Sequence, residues 1–513
     1  MSRASRRGIH RFRRLFQVGF LVLFVALLAF TVWPLGSVYL GAFLVGDPLI
    51  AINSAVNGVL RPEMLIALVM LAVPLVLGRA FCGYVCPMGT VVEWASPRKR
   101  GGASARTPGA PGLSPKARET WRKVPVFVLL FSAGMLLFAS GAYLVFDPLA
   151  TVTRSATTLL FPFVDRMVRL LGDIAYLVPA LRGAVDAVTT ALAGRIVYAV
   201  PRVYGLALVA LGMFAGILAL SVAAPRFWCR YLCPLGALLG LVGRFGVRNR
   251  MVDADACIAC GACERVCPLD AVRDEYLATD TSRCQLCMEC ADACPTDAIS
   301  IGARPKKALY KPSRRAFVLG AGAGLLAGFF TFTGLRRRVH DPHLVRPPGT
   351  GAEGDVLALC TRCGQCMKVC PTNVLQPSLS KAGLEGFFTP EMDYGVGNCD
   401  WACAECGKVC PTGAIEPLGL AEKRKTVIGR AYIDTTRCIP WTDYRSCLVC
   451  QELCPVPDKA IVFTTDELTT PEGEALTVKR PHVIAERCIG CGVCEFNCPV
   501  PRESAIRVRG TGA

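Results

Sequence analysis

Histidine is nearly absent. The 513-residue chain has four: His10, His340, His343 and His482. None lies inside an apolar run, which excludes a haem held between two membrane histidines on this chain. No Cys-x-x-Cys-His occurs, which argues against covalent c-type haem. Charge is thin too, at 19% against 53% hydrophobic residues. That composition excludes a disordered chain and argues against a purely soluble one. Acid is the scarcer sign, with 39 Asp and Glu against 57 Lys and Arg. The excess sits in residues 1–338, where 39 − 18 leaves +21; residues 339–513 carry 18 − 21, or −3. The basic half is the apolar half, as in a membrane protein orienting itself. Neither aromatic interleaving nor a basic helix suggests a nucleic-acid module.

The first apolar run, Leu15 to Trp33, follows six arginines and no acid. It is too long for a signal-peptide core and lacks a small-residue cleavage site, so it reads as a retained span. Further apolar runs cover about 64–80, 124–144 and 203–223. The basic N-terminus and the basic loop 95–123 are expected on the cytoplasmic side. The mixed stretch 154–202 reads as helices on the outer membrane face. These spans repeat. Asp47-Pro48-Leu49 follows the first and Asp147-Pro148-Leu149 the third. Cys82-x3-Cys86-Pro87 ends the second and Cys229-x3-Cys233-Pro234 the fourth. Two parallel two-helix units, related by an axis along the membrane normal, are expected.

Cysteine is abundant, at 28. Twenty-four fall into six groups of four, each ending in Cys-Pro. Cys257, Cys260, Cys263, Cys267 and Cys284, Cys287, Cys290, Cys294 have the spacing of a two-cluster bacterial ferredoxin. In that fold the fourth cysteine reaches the neighbouring [4Fe–4S] cluster. One cluster should therefore take Cys257, Cys260, Cys263 and Cys294, the other Cys284, Cys287, Cys290 and Cys267. Four quartets follow: Cys360, Cys363, Cys366, Cys370; Cys399, Cys403, Cys406, Cys410; Cys438, Cys447, Cys450, Cys454; and Cys488, Cys491, Cys494, Cys498. The segment between Cys410 and Cys438 reads as the hairpin joining two ferredoxin halves. This favours a nested arrangement, in which the middle two quartets exchange their fourth cysteines and the outer two do the same. Sequential pairing is the alternative. Either way six [4Fe–4S] clusters are expected.

Cys82, Cys86, Cys229 and Cys233 remain. They read either as thiols capping short helices or as one further metal site between the repeats. Asp47 and Asp147 are candidate catalytic residues, accepting protons from a quinol; Asp-Pro is also an ordinary turn start. Residues 313–335 begin Ser-Arg314-Arg315-Ala-Phe317 and continue as a Gly-rich apolar run. This resembles a twin-arginine export signal and reads as a fifth span. Gly320-x-Gly322-x-Gly324 is no nucleotide loop, because no strand precedes it. Arg336, Arg337 and Arg338 oppose the positive-inside rule.

With these motifs in view, residues 1–304 resemble NapH/MauN-type membrane quinol dehydrogenase subunits. Residues 313–513 resemble NapG/MauM-type ferredoxin proteins, so the chain looks like a natural fusion of the two. The regulator family of nitrous-oxide reductase shares the membrane core, but its flavin-binding domain is missing here. The expected fold is an α-helical membrane domain with α+β ferredoxin-like domains. The expected divisions are 1–250 (four spans), 251–304 (cytoplasmic two-cluster ferredoxin), 305–338 (signal and fifth span) and 339–513 (four clusters, periplasmic). The resemblance implies an iron–sulfur protein of the inner membrane. It would take electrons from the quinol pool and pass them to a periplasmic reductase or c-type cytochrome. An accessory role, supplying electrons for assembly of another redox enzyme, is the second reading.

Overall fold

The computed structural model describes residues 3–32, 34, 41–96, 114–273, 275–303, 314–330, 341–469 and 475–511. Most of the basic loop 95–123 and Arg336 to Arg338 lie outside them. The chain forms two compact units that do not follow chain order. One comprises Met1–Leu28, Gly41–Ala156 and Leu208–Thr333; the other Ala29–Leu40, Thr157–Ala207 and Gly334–Ala513. The stretch 157–207, assigned from sequence to the membrane part, thus packs with the C-terminal residues.

In the first unit the duplicated motifs are helix starts. Each of the four motifs heads a helix with a capping side chain followed by proline, the pairing that satisfies the first free N–H groups and pre-sets φ. Asp47 accepts from Leu49 N at 2.8 Å ahead of Pro48–Val56. Asp147 accepts from Leu149 N and Ala150 N at 2.9 and 2.8 Å ahead of Pro148–Ser155. The Sγ atoms of Cys86 and Cys233 accept from Gly89 N and Gly236 N, heading Pro87–Ala95 and Pro234–Gly243.

Among the described residues, two helices are long and apolar enough to cross a membrane, Phe12–Ala29 and Lys116–Leu137. The second and fourth expected spans form shorter apolar helices, Pro62–Leu77 and Ala207–Ala223. At 1.5 Å per residue, 16 or 17 residues rise only about 24–26 Å. The second ends where Gly78 turns at φ +55°, with the Cys284 carbonyl 2.8 Å from where a Cβ would stand.

The glycines of the last apolar helix, Arg314–Phe330, are contact residues. They lie four apart, on one face, against Val124–Leu137. A Cβ on Gly324 would sit 2.8 Å from Phe131 Cα, and one on Gly328 would sit 2.9 Å from the Gly134 carbonyl oxygen. Small residues permit such backbone approach between helices. Gly322, between them, faces open space. Gly324→Leu should therefore cost at least about 1–3 kcal/mol by overpacking, while Gly322→Leu should be nearly neutral. Thermal denaturation in detergent checks the contrast; equal midpoints for the two variants would refute the packing.

A ferredoxin module completes this unit. Arg248–Val252 pairs antiparallel with Ile299–Ala303, and Val272–Arg273 with Ala278–Thr279. Arginines tie it to the helical part. Arg122 grips Asp270 through two 2.9 Å bonds, Arg230 donates to the Pro268 carbonyl at 2.7 Å, and Arg226 donates to Gln285 at 2.6 Å.

The second unit holds two further modules. Leu375–Pro377 pairs with Pro390–Met392 in the first. Gly429–Ile433 pairs with Ile506–Gly510 in the second, and a long hairpin pairs Ile461–Thr469 with Ala475–Val483. Val374, Leu375, Met392, Tyr394, Ile461 and Val508 share one core. The stretch 157–207 folds onto the first module. Arg202 and Tyr204 both donate to the Met367 carbonyl, at 3.1 and 3.3 Å. Asn373 and Gln376 donate to Val203 O at 2.8 and 3.0 Å. The Lys368 ammonium lies 4.4 Å from the Phe161 ring centre and 4.8 Å from that of Tyr198.

Candidate iron–sulfur sites

In the module of the first unit, Cys257, Cys260, Cys263 and Cys294 line one small cavity. Cys267, Cys284, Cys287 and Cys290 line another. The structure brings these eight together in the grouping expected from their spacing.

The C-terminal cysteines group otherwise than expected. Cys410 lies with Cys360, Cys363 and Cys366, and Cys370 with Cys399, Cys403 and Cys406. Cys498 lines a cavity with Cys438, Cys447 and Cys450. Cys454 lies with Cys488, Cys491 and Cys494. The pairing is sequential, and the favoured nested arrangement is corrected. The cause is the strand ladder. Gly429–Ile433 opens the last module rather than joining two halves of a larger one, and its partner Ile506–Gly510 lies just beyond Cys498.

The loops share a backbone device that sequence reading missed. In each standard quartet, the residue two after the first cysteine and the residue after the second have positive φ. These are Ala259 and Gly261, Leu286 and Met288, Arg362 and Gly364, Gly490 and Gly492. Alternating hands of backbone turn successive N–H groups toward a common concavity, which suits an anionic occupant. Four of the eight are not glycine, so composition alone could not reveal the device.

Burial pushes the thiols up. Cys284, Cys287, Cys290 and Cys363 are raised to about 12, chiefly by desolvation. Thiols so placed are neutral unless a metal cation takes the proton's place. Lys368, between Cys366 and Cys370, is pushed down to about 7 by burial and then by Arg202.

The two Cys-x3-Cys-Pro motifs also meet. Cys82, Cys86, Cys229 and Cys233 are buried and within electrostatic reach of one another. Arg79 Nη2 donates to the Cys229 carbonyl at 3.1 Å, and Arg226 Nη2 donates to the Gly89 carbonyl at 3.1 Å. Two guanidinium groups thus stand beside four buried thiols. Among the described residues no three Cys, His, Asp or Glu side chains converge on a single metal ion. Tetrahedral zinc, with Zn–S near 2.3 Å, would hold sulfurs about 3.8 Å apart. Thiol quartets that do not close on one ion suit a multi-iron cluster.

Asp47 and Asp147 also meet, each fully buried, their side chains within hydrogen-bonding reach of one another. Both are helix caps, as described above.

Models of known families agree with this division. A 4Fe-4S binding domain matches residues 251–273 and 277–300, and a 4Fe-4S dicluster domain matches 359–414, the first sequential pair. A further 4Fe-4S binding domain matches 485–501. Another, also described as a 4Fe-4S binding domain, matches 62–102 and 206–252, the segments holding the two Cys-x3-Cys-Pro motifs. Among whole proteins, the methylamine utilization ferredoxin-type protein MauM of Methylorubrum extorquens is 34% identical over 213 residues. That match covers 40% of this chain and 91% of MauM. The ferredoxin-type protein NapG of Haemophilus influenzae is 31% identical over 215 residues, covering 40% of this chain and 74% of NapG.

Proposed function

Because the chain belongs to the family of MauM and NapG ferredoxin-type proteins, we propose that it is a membrane-bound quinol oxidiser that delivers electrons to a periplasmic reductase or cytochrome. Iron–sulfur electron transfer is common to the whole chain, since 4Fe-4S domains match both halves. In this reading the 24 ferredoxin-type cysteines hold six [4Fe–4S] clusters in the groups above, and Cys82, Cys86, Cys229 and Cys233 hold a seventh. Each cluster supplies one-electron transfer, so several together can accept a two-electron donor in single steps. The chain's own part is to supply buried thiolates, to aim N–H groups at them, and to balance charge with Arg79, Arg226 and Arg250. Asp47 and Asp147 cap the equivalent helices of the two repeats.

The observation that carries the outward direction is the packing of 157–207 on the C-terminal module. That stretch links the third and fourth apolar segments on the side opposite the basic loop 95–123, which the positive-inside rule makes periplasmic. A domain seated on a periplasmic loop is itself periplasmic. The Ser-Arg-Arg-x-Phe signature fits, because the twin-arginine route carries domains already folded with their cofactors. The N-terminal 304 residues serve as the NapH/MauN-like membrane half of the fusion, with 251–304 in the cytoplasm.

Two measurements test this reading. Protease added to intact spheroplasts should remove residues 339–513 and spare 253–302; Arg314→Lys with Arg315→Lys should protect both. C-terminal residues cut only in inverted vesicles would overturn the topology. The visible cluster absorbance of the purified protein should fall in part, reversibly on reoxidation, when a menaquinol or ubiquinol analogue is added anaerobically. Reduction by dithionite but by no quinol would leave the accessory role in assembly.

A further inference from the structure

A cavity of about 740 Å³ opens in the first unit between the first apolar helix and Pro62–Leu77. Its volume lies within the range of small-molecule sites. One wall is an aromatic stripe, Phe12, Phe16 and Phe20, spaced four apart on one helix face, with ring centres 4.5 and 5.8 Å apart. The facing wall runs from Ile66 through Val73 to Tyr84. The walls are apolar for most of this length, as a hydrocarbon tail requires.

The end of the cavity differs from the rest. Leu286 and Met288 close it, and each stands between two cysteines of the Cys284-x2-Cys287-x2-Cys290 loop. Both hold positive φ, as in the other cluster loops. Beside them are the polar side chains of the lining, Tyr84 and Arg248. The Tyr84 hydroxyl donates to the Leu286 carbonyl at 3.1 Å, so the phenol is fastened to the cluster loop itself. The cavity therefore joins a long apolar channel to a redox loop at a single polar end.

We propose that this cavity is the quinol site, with the isoprenoid tail along the phenylalanine stripe and the ring against Tyr84, Leu286 and Met288. The proposal rests on the quinol-oxidising reading above and locates its substrate. An ordinary lipid tail would suit the apolar walls, but nothing about a lipid calls for a cluster loop as the end wall. Oxidation of quinol to quinone here releases two electrons and two protons. Cys267, Cys284, Cys287 and Cys290 would hold the nearer [4Fe–4S] cluster and Cys257, Cys260, Cys263 and Cys294 its neighbour, and the two would accept one electron each while both protons leave to solvent. The ring is separated from the cysteines of one cluster by single residues, so no further carrier is needed between them.

The test uses the full-length, cluster-loaded protein in detergent. Val73→Trp fills the middle of the cavity, and Val69→Trp is a second variant nearer its far end. Fluorescence titration with a hydroxyquinoline N-oxide quinol analogue should show affinity weakened at least about tenfold in Val73→Trp, since a filled apolar cavity excludes its ligand sterically. Iron content and the dithionite-reduced EPR spectrum should not change. An azidoquinone should label peptides spanning 12–27 or 66–85 in the wild type, and less in both variants. If wild-type protein binds the analogue and is reduced by quinol, but both variants do so equally well, the site lies elsewhere. Label confined to other peptides would likewise place the site outside this cavity. If the wild type neither binds the analogue nor is reduced by any quinol, the quinol reading itself falls.

Discussion

Anaerobically purified, fully loaded protein should yield about 28 iron atoms per chain, four for each of seven clusters. The joint variant Cys86→Ser and Cys233→Ser should yield about 24. Serine is a good helix cap, so the two capped helices should survive the change and the loss should report ligation alone. The warrant is convergence from two repeats. Each Cys-Pro pair is placed by its own helix start, the four thiols are mutually close, and a 4Fe-4S family model covers both segments. A wild-type value near 24, unchanged in the joint variant, would assign these thiols to capping. About 16 or fewer would overturn the six ferredoxin-type clusters as well.

The second large effect concerns which cysteines share a cluster. Cys363→Ala and Cys410→Ala should each remove the same cluster, about four iron atoms. The double variant should then lose no more than either single one, because residues acting in one site are not additive. Nested pairing would place Cys410 with Cys438, Cys447 and Cys450, and the double variant would lose about eight. The expected coincidence follows from the closeness of Cys410 to Cys360 and Cys363. Spin quantitation of the reduced protein by EPR should follow the iron count.

The cysteine spacing by itself determined the number of quartets, because each ends in Cys-x2-Cys-x3-Cys-Pro even where the first gap widens, ahead of Cys403 and Cys447. It also determined the exchange between Cys267 and Cys294, since only two quartets lie in that stretch. With four quartets in a row, spacing no longer discriminated. The partner of each fourth cysteine depends on which strands pair, and the ladder Gly429–Ile433 with Ile506–Gly510 joins residues more than seventy apart. The duplicated Asp-Pro and Cys-Pro signals were legible as a repeat, yet their use as helix caps needed the backbone. The glycines of 320–328 were legible only as something other than a nucleotide loop. Their role against Val124–Leu137 depends on a neighbour nearly two hundred residues away. The same holds for the stretch 157–207. Its helical spacing suggested a membrane surface, and only tertiary packing turned its Arg202, Val203 and Tyr204 toward a ferredoxin module. Local chemistry, which bonds a residue to near neighbours, was readable along the chain. Long-range packing, which decides what stands opposite what, was left to the fold.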